Sequence, residues 1–205
     1  MDNMDGIIAW IGSNLNWIQI FSLATGVVYM VMQIFQHKLM WYFNLLMASS
    51  ALVVAMYNHI WAQTLLNVYF IAMALVGIFR WRNLSEAAGD GKIHLVRLSP
   101  KIIIIAIQII MVGAPILCTI LYFTNDPSPI ADGISMCLSI VAAWFLTRSH
   151  IEQYLLWVAA DLLSIVVYAG TGAWWMVGLY YCFIISSFFG IKQWYTNGVY
   201  VEGKK

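Results

Sequence analysis

Five side chains between residues 154 and 168 share one face of a helix. Tyr154, Trp157, Asp161, Ser164 and Tyr168 follow one another at spacings of 3, 4, 3 and 4 residues, which is the period of an amphipathic helix. Aromatic faces and a carboxylate both attract a cation, and hydroxyls bind its polar edges. The stripe therefore predicts a binding site for a flat organic cation.

Asp161 also has a purely structural interpretation. It is the only acid deep inside an apolar stretch, where a carboxylate is costly enough to be a functional candidate by default. It could instead pair with a tyrosine or a backbone group and hold two helices together. Both interpretations stay open on the sequence.

Six further residues could complete a site with this stripe. The first apolar stretch has Tyr29 and Gln33 on one face, and the third has Gln63 and Asn67 four residues apart. The fourth has a lone amide, Gln108, and the seventh has Tyr181. Amides in membrane helices also serve as hydrogen-bonding glue between helices, so this role is the alternative for each amide.

The elements that position these residues are membrane-spanning helices. Of the 205 residues, 62% are hydrophobic and 9% charged, whereas about a quarter of a soluble domain is charged. Backbone groups in lipid must be satisfied within the segment, and these stretches are too long for barrel strands. We predict an all-α membrane protein with seven transmembrane helices, at 17–36, 39–57, 60–81, 101–124, 130–148, 151–169 and 173–195.

Positive charge marks every second boundary between these spans. The basic residues are Lys38, then Arg80, Arg82, Lys92, Arg97 and Lys101, then Arg148, then Lys192, Lys204 and Lys205. The loops between these clusters, around Asn58, Asn125 and Ala169, contain none. Basic loops stay in the cytoplasm, so we expect the N-terminus outside and the C-terminus inside.

The polar stretch 83–100 divides the chain into two halves. The end of span 3 matches the end of span 7 at an offset of 113 residues, as in Gly77 and Gly190 or Trp81 and Trp194; earlier parts are expected to align only with gaps. The predicted divisions are an interfacial segment 1–16, a three-helix repeat 17–82, a cytoplasmic linker 83–100, a connecting helix 101–124, a second repeat 130–197 and a cytoplasmic tail 198–205. This is a 3+1+3 arrangement of parallel repeats, for which substrate is expected at the repeat interface.

Motifs for catalysis are missing from the sequence. The four histidines are scattered at helix ends, and there is no HExxH pair, GxSxG elbow or phosphate loop. Cys118, Cys137 and Cys182 lie within spans without CxxC spacing, as small buried hydrophobes would. We therefore expect no enzyme, catalytic residue, metal or cofactor, and a net charge of +1 gives no reason to expect a nucleic-acid partner.

Several motifs, in this order along the chain, resemble the PnuC family of bacterial vitamin transporters. They are ATGVVY in span 1, LLNVYFIAMALVGIFRW in span 3, IADGISMCLSIVA at the start of span 5, IEQYLLWVAAD in span 6 and GLYYCFIISSFFGIKQW in span 7. The resemblance implies a fold like the SWEET sugar transporters, a homotrimer and a place in a bacterial inner membrane. It also implies uptake of nicotinamide riboside by facilitated diffusion, with trapping by a cytosolic kinase as a functional partner.

Span 6 departs from the family pattern at one position. Nicotinamide riboside members resemble one another in a WxxW motif, and here Tyr154 stands at its first position, followed three residues later by Trp157. Relatives without the full motif include thiamine carriers, and thiamine is also a flat cation, so a thiamine transporter is the first alternative. A retinal-type seven-helix receptor and a structural membrane subunit are the alternatives from other classes.

Overall fold

The computed structural model describes residues 2–88, 93–170, 172 and 174–200. In these ranges the chain forms seven α-helices and two short strands. The helices are α1 (Asp2–Ile34), α2 (Met40–Tyr57), α3 (Trp61–Ala88), α4 (Pro100–Phe123), α5 (Pro129–Thr147), α6 (Gln153–Gly170) and α7 (Trp174–Asn197), and the strands are β1 (Ile93–Leu95) and β2 (Gly198–Tyr200). Each predicted span coincides with one helix, so the all-helical prediction is confirmed.

Six of these helices are long and apolar enough to cross a membrane, by length and composition. They are the helical segments Gly6–Ile34, Met40–Tyr57, Gln63–Trp81, Pro100–Phe123, Pro129–Thr147 and Gln153–Gly170. The remaining helix, α7, has 24 residues, and a helix of that length is also long enough to span the hydrocarbon core.

Three predicted boundaries differ from the observed elements. The predicted interfacial segment 1–16 and the first span form one helix, α1, of 33 residues. The first 99 residues contain no proline that would interrupt this helix. Helix α3 runs beyond the predicted boundary at residue 82 as far as Ala88. The predicted linker and tail contribute β1 and β2, and residues 89–92 and 201–205 of those segments lie outside the described part.

The chain divides into two compact units, Met1–Arg82 and Asn83–Lys205. In the first unit, α1 packs along α2, where the Ser22 hydroxyl donates a hydrogen bond to the carbonyl of Met47 over 3.2 Å. Helices α2 and α3 meet where Trp41 packs edge to face on Trp81, with 5.4 Å between ring centroids. A Cβ at Gly77 would collide with the Trp41 ring, so this glycine allows the ring to lie on the backbone of α3.

In the second unit, helices α4 to α7 pack in sequence order, each on the next. Small residues bring α4 and α5 together: a Cβ at Gly133 would lie 2.7 Å from the backbone nitrogen of Cys118. Ala106, Val141 and Phe145 form a buried apolar cluster on the same two helices. Cys137 is buried and Cys118 partly buried, but Cys182 is exposed on α7, so the prediction that all three cysteines are buried is wrong for Cys182.

The two strands join the predicted linker to the end of α7. Strand β1 pairs in parallel with β2, with His94 opposite Val199, and Leu95 is 1% exposed beneath Gly198. The Nδ1 atom of His150 lies 2.8 Å from the carbonyl oxygen of Val96; because that oxygen can only accept, Nδ1 carries the proton. The segment before α4 therefore contacts both the segment before α6 and the segment after α7.

Internal contacts of the two units match at a constant offset of 113 residues. Ser22 and Met47 correspond to Ser135 and Ala160, whose hydrogen bond is also 3.2 Å long. The turn at Gln36, with φ of 51°, corresponds to that at Ser149, with φ of 57°. The equivalence thus extends through all three helices without gaps, which corrects the expectation that the earlier parts align only with gaps.

Candidate substrate-binding site

Asp161 lies at the middle of α6 as a buried carboxylate. The residue is 7% exposed, and among the described residues no group donates a hydrogen bond to its carboxylate or forms an ion pair with it. The structural interpretation of Asp161 required such a partner, a tyrosine or a backbone group. An acceptor-only group that is buried without a donor is instead suited to receiving donors from a bound molecule.

Serine hydroxyls from two helices surround this position without satisfying the carboxylate. Ser135 on α5 and Ser164 on α6 both donate to the carbonyl oxygen of Ala160, over 3.2 and 3.1 Å, and their oxygens are 3.4 Å apart. Each hydroxyl thus has a hydrogen-bond partner other than the carboxylate. The cluster is therefore rich in acceptors and short of donors.

Two tyrosine rings stack next to this cluster, towards the end of α6 at Gly170. Tyr168 on α6 and Tyr180 on α7 have ring centroids 5.5 Å apart and planes inclined by 17°. Phe183 packs edge to face on Tyr180 at 5.8 Å. The Tyr180 hydroxyl lies within hydrogen-bonding reach of the Ser164 and Tyr168 side chains and close to Asp161. Helices α5, α6 and α7 thus converge on one polar, aromatic cluster.

The sequence prediction named Tyr181 and missed its neighbour Tyr180. Tyr181 is 54% exposed, and the structure does not bring it to the cluster. Tyr180 aligns with Asn67 at the offset of 113, and Asn67 was a predicted site residue. That correspondence is the signal in the sequence that could have identified Tyr180.

Tyr154 lies in a packing contact rather than in the polar cluster. Its ring meets Trp194 edge to face, with centroids 5.3 Å apart and planes at 85°, and it covers Gly190, where a Cβ would collide with the ring. The residue is 3% exposed. Since Tyr154 corresponds to Trp41 at the offset of 113, each unit has the same aromatic contact on a glycine.

Trp157 lies between the packing contact and the carboxylate. It is half-buried and four residues, or about 6 Å along a helix axis, before Asp161. Of the predicted stripe, the structure therefore brings Asp161, Ser164 and Tyr168 into one cluster, with Trp157 one turn away.

The predicted residues of the first unit form local contacts of their own. The Tyr29 hydroxyl is hydrogen-bonded to the Asn44 side chain. Asn67 is 3% exposed, and its amide donates to the carbonyl of Gln63, one turn earlier, over 2.8 Å. Gln33 is buried, whereas the Gln63 side chain is exposed. Gln108 is exposed on α4 and does not reach the cluster around Asp161.

The chemistry available in the cluster is recognition. Within the described ranges, no group of three or more His, Cys, Asp or Glu side chains could hold a metal ion. The cluster offers a carboxylate, hydroxyl lone pairs and stacked rings, which can bind and orient a small molecule with hydrogen-bond donors and a flat ring.

Comparison with known proteins agrees with this architecture. The family model for nicotinamide mononucleotide transporters matches residues 16–196. Two similar proteins are the nicotinamide riboside transporters PnuC of Escherichia coli, 23% identical over 91% of this chain and 88% of the relative, and of Haemophilus influenzae, 24% identical over 92% and 83%.

A solved structure shares the fold. The crystal structure of the vitamin B3 transporter PnuC superimposes with a TM-score of 0.69 at 21% identity, and the alignment covers 93% of this chain and 86% of that one. The family match spans nearly the full chain, and six described helices are apolar enough to cross a membrane. The chain therefore belongs to the nicotinamide mononucleotide transporter family, the PnuC family, and is a multi-pass transporter of the bacterial inner membrane rather than an enzyme.

Proposed function

We propose that this protein takes up nicotinamide riboside. The observation that carries the proposal is the unpartnered Asp161 carboxylate at the middle of α6, beside Trp157 and the stacked pair Tyr168 and Tyr180. A positively charged pyridine ring suits the aromatic faces, and the polar groups of the molecule suit the acceptors. The names of the curated relatives support the same substrate.

A phosphorylated substrate suits this chain poorly, although the family is described by a mononucleotide. A phosphate group inside a membrane protein requires cationic or strong donor partners. All ten Lys and Arg residues lie near span ends or outside the spans, and the four histidines do as well. A nucleoside therefore fits the spans better than its phosphate ester.

Tyr154, which replaces the first Trp of the WxxW motif, is the residue that favours thiamine. Tyr154 is packed on Gly190 and Trp194, as Trp41 is on Gly77 and Trp81. An aromatic residue enclosed in this way contributes to helix packing, so its identity bears weakly on the substrate. Thiamine remains the alternative to be tested beside nicotinamide riboside.

We further propose facilitated diffusion as the mechanism, with a cytosolic kinase trapping the product. The absence of a phosphate-loop motif from the sequence supports a chain without its own motor. The matched contacts at an offset of 113 support a 3+1+3 arrangement of parallel, SWEET-like repeats. The outside N-terminus, the inside C-terminus and the homotrimer are parts of the same proposal.

The alternatives from other classes find less support. A retinal-type receptor needs a lysine near the middle of its last helix for a Schiff base, but Lys192 is near the end of α7 and exposed. A structural subunit would use Asp161 to hold helices together, but the carboxylate has no partner among the described residues.

Uptake of labelled nicotinamide riboside tests the proposal. Cells that lack their own carrier should accumulate the label when they express this protein, and Asp161→Asn should reduce the initial rate at least tenfold with normal membrane insertion. Gln108→Ala, which changes an exposed amide of α4, is the matched control and should transport normally. Uptake of thiamine but not of nicotinamide riboside would replace the proposed substrate, and full activity of Asp161→Asn would remove Asp161 from the site.

A further inference from the structure

We propose that Asp161 recognises the vicinal diol of the substrate's ribose rather than the positive charge of its ring. The inference rests on the proposed function and identifies which part of a nucleoside the carboxylate binds. The cluster around Asp161 provides acceptors, and none of its described groups donates to the carboxylate.

The hydroxyls nearest to Asp161 have partners other than its carboxylate. Ser135 and Ser164 lie within hydrogen-bond distance of the carbonyl of Ala160 and of each other, and the Tyr180 hydroxyl lies within reach of the Ser164 and Tyr168 side chains. The carboxylate has two oxygens with four lone-pair directions, and none of the described residues fills them. A ligand that satisfies this group must bring at least one donor and preferably two adjacent ones.

The pyridinium nitrogen cannot provide such donors, because it bears the bond to the sugar and has no N–H, and its charge is delocalised over the ring. The carboxamide on the ring has two N–H bonds, but they diverge from one nitrogen and do not form a pair of adjacent donors. The adjacent hydroxyls of a ribose are two donors at the separation that matches two carboxylate oxygens. In dinucleotide-binding folds, too, an acidic side chain accepts a hydrogen bond from a ribose hydroxyl. The diol is therefore the better partner for Asp161.

The spacing along α6 leaves a place for the ring. Trp157 is one helical turn, about 6 Å, before Asp161, and the Tyr168–Tyr180 pair lies on its other side. In a nucleoside, the base and the sugar hydroxyls are separated by a comparable distance. The aromatic residues can bind the charged ring through their faces while Asp161 binds the sugar.

Calorimetry on the purified full chain, with three ligands, tests this assignment. The ligands are nicotinamide riboside, its 2′-deoxy analogue, and its reduced form, in which the ring is uncharged and the diol intact. We expect the deoxy analogue to bind about 10- to 100-fold more weakly, the loss typical of a hydrogen bond to a charged group. In Asp161→Asn, the difference between the riboside and its deoxy analogue should shrink to a few-fold.

The outcomes separate this inference from the proposed function. Equal binding of the riboside and its deoxy analogue by the wild-type chain would overturn the inference and leave the transporter assignment intact. So would a preference for the charged over the reduced ring that Asp161→Asn abolishes, because Asp161 would then sense charge. No binding of nicotinamide riboside at all would overturn the proposed function itself. The ligand series on the wild-type chain answers the question even if the Asp161→Asn variant does not fold.

Discussion

Tyr154 lies edge to face on Trp194, with 5.3 Å between ring centroids and 85° between planes, and it covers the backbone of α7 at Gly190. Trp41 repeats this geometry in the first unit, at 5.4 Å and 86° from Trp81 and over Gly77. Because both contacts need a residue without a Cβ, they hold α2 to α3 and α6 to α7 by the same means.

Alanine at Gly190 or Gly77 should therefore destabilise the protein. A methyl group at either position would force an enclosed aromatic ring to move, and overpacking of this kind costs about 1–3 kcal/mol. Thermal unfolding in detergent should show a lower Tm for each variant. Gly178→Ala is the matched control on α7, since a Cβ there meets nothing within 4 Å. Equal Tm values for all three variants would contradict the packing role.

Tyr154→Phe should leave substrate affinity within about twofold of the wild type, because the ring serves helix packing. Trp157→Ala should weaken binding of nicotinamide riboside at least tenfold, since cation–π and stacking contacts are each worth about 1 kcal/mol or more when desolvated. Calorimetry on both variants checks the contrast. A large loss with Tyr154→Phe and none with Trp157→Ala would reverse the assignment of the two residues.

Tyr180→Phe and Tyr181→Phe provide a matched pair on adjacent residues. The first removes a hydroxyl within hydrogen-bonding reach of Ser164 and Tyr168, whereas the second removes one from a residue that is 54% exposed. The net value of such a hydrogen bond is about 1 kcal/mol. We expect Tyr180→Phe to lower the affinity for nicotinamide riboside by about fivefold and Tyr181→Phe to leave it unchanged. The opposite ranking would place Tyr181 in the site.

Leu95→Ala should loosen the contact between the linker and the end of α7. Leu95 is 1% exposed under Gly198, and truncating a buried leucine costs about 2–5 kcal/mol. Val199, on the opposite strand, is 42% exposed, so Val199→Ala should change the Tm little. Hydrogen exchange should be faster at residues 93–96 in Leu95→Ala than in Val199→Ala, and equal exchange would show that the pairing does not depend on this side chain.

The proposed topology predicts the behaviour of reporter fusions. Alkaline phosphatase, which is active only outside the cytoplasm, should be active when fused after Asn125 and inactive when fused after Lys205. A green fluorescent protein that folds only in the cytoplasm should give the opposite result at the same two positions. Fluorescence at Asn125 would invert the orientation derived from the basic residues.

The seven helices were predictable because length and apolar composition are sufficient to identify a membrane span. The rotation of α7 about its own axis was not predictable, and for this reason Tyr181 was predicted as a site residue instead of Tyr180. In a soluble helix the exposed face is polar and marks the rotation. In a membrane both faces are apolar, so two adjacent tyrosines, about 100° apart around the axis, cannot be distinguished by hydropathy.

The five residues of the stripe from Tyr154 to Tyr168 all lie on α6, but they do not share one environment. The face spans 15 residues, about 21 Å of helix, which is more than one small ligand covers. Its first residue packs on Gly190 and its later residues form the polar cluster. The spacing of residues in the sequence predicts which of them share a helical face. Which side chains on that face lie in the same site depends on the neighbouring helices.

The offset of 113 also pairs Asp161 with Ala48, a residue that is fully buried. The two units thus share an interhelical hydrogen bond, a turn and an aromatic contact, but only the second unit has a carboxylate at this position. A molecule that binds through this group finds no equivalent acid on α2, so a duplicated scaffold can still hold an asymmetric cargo in a single orientation.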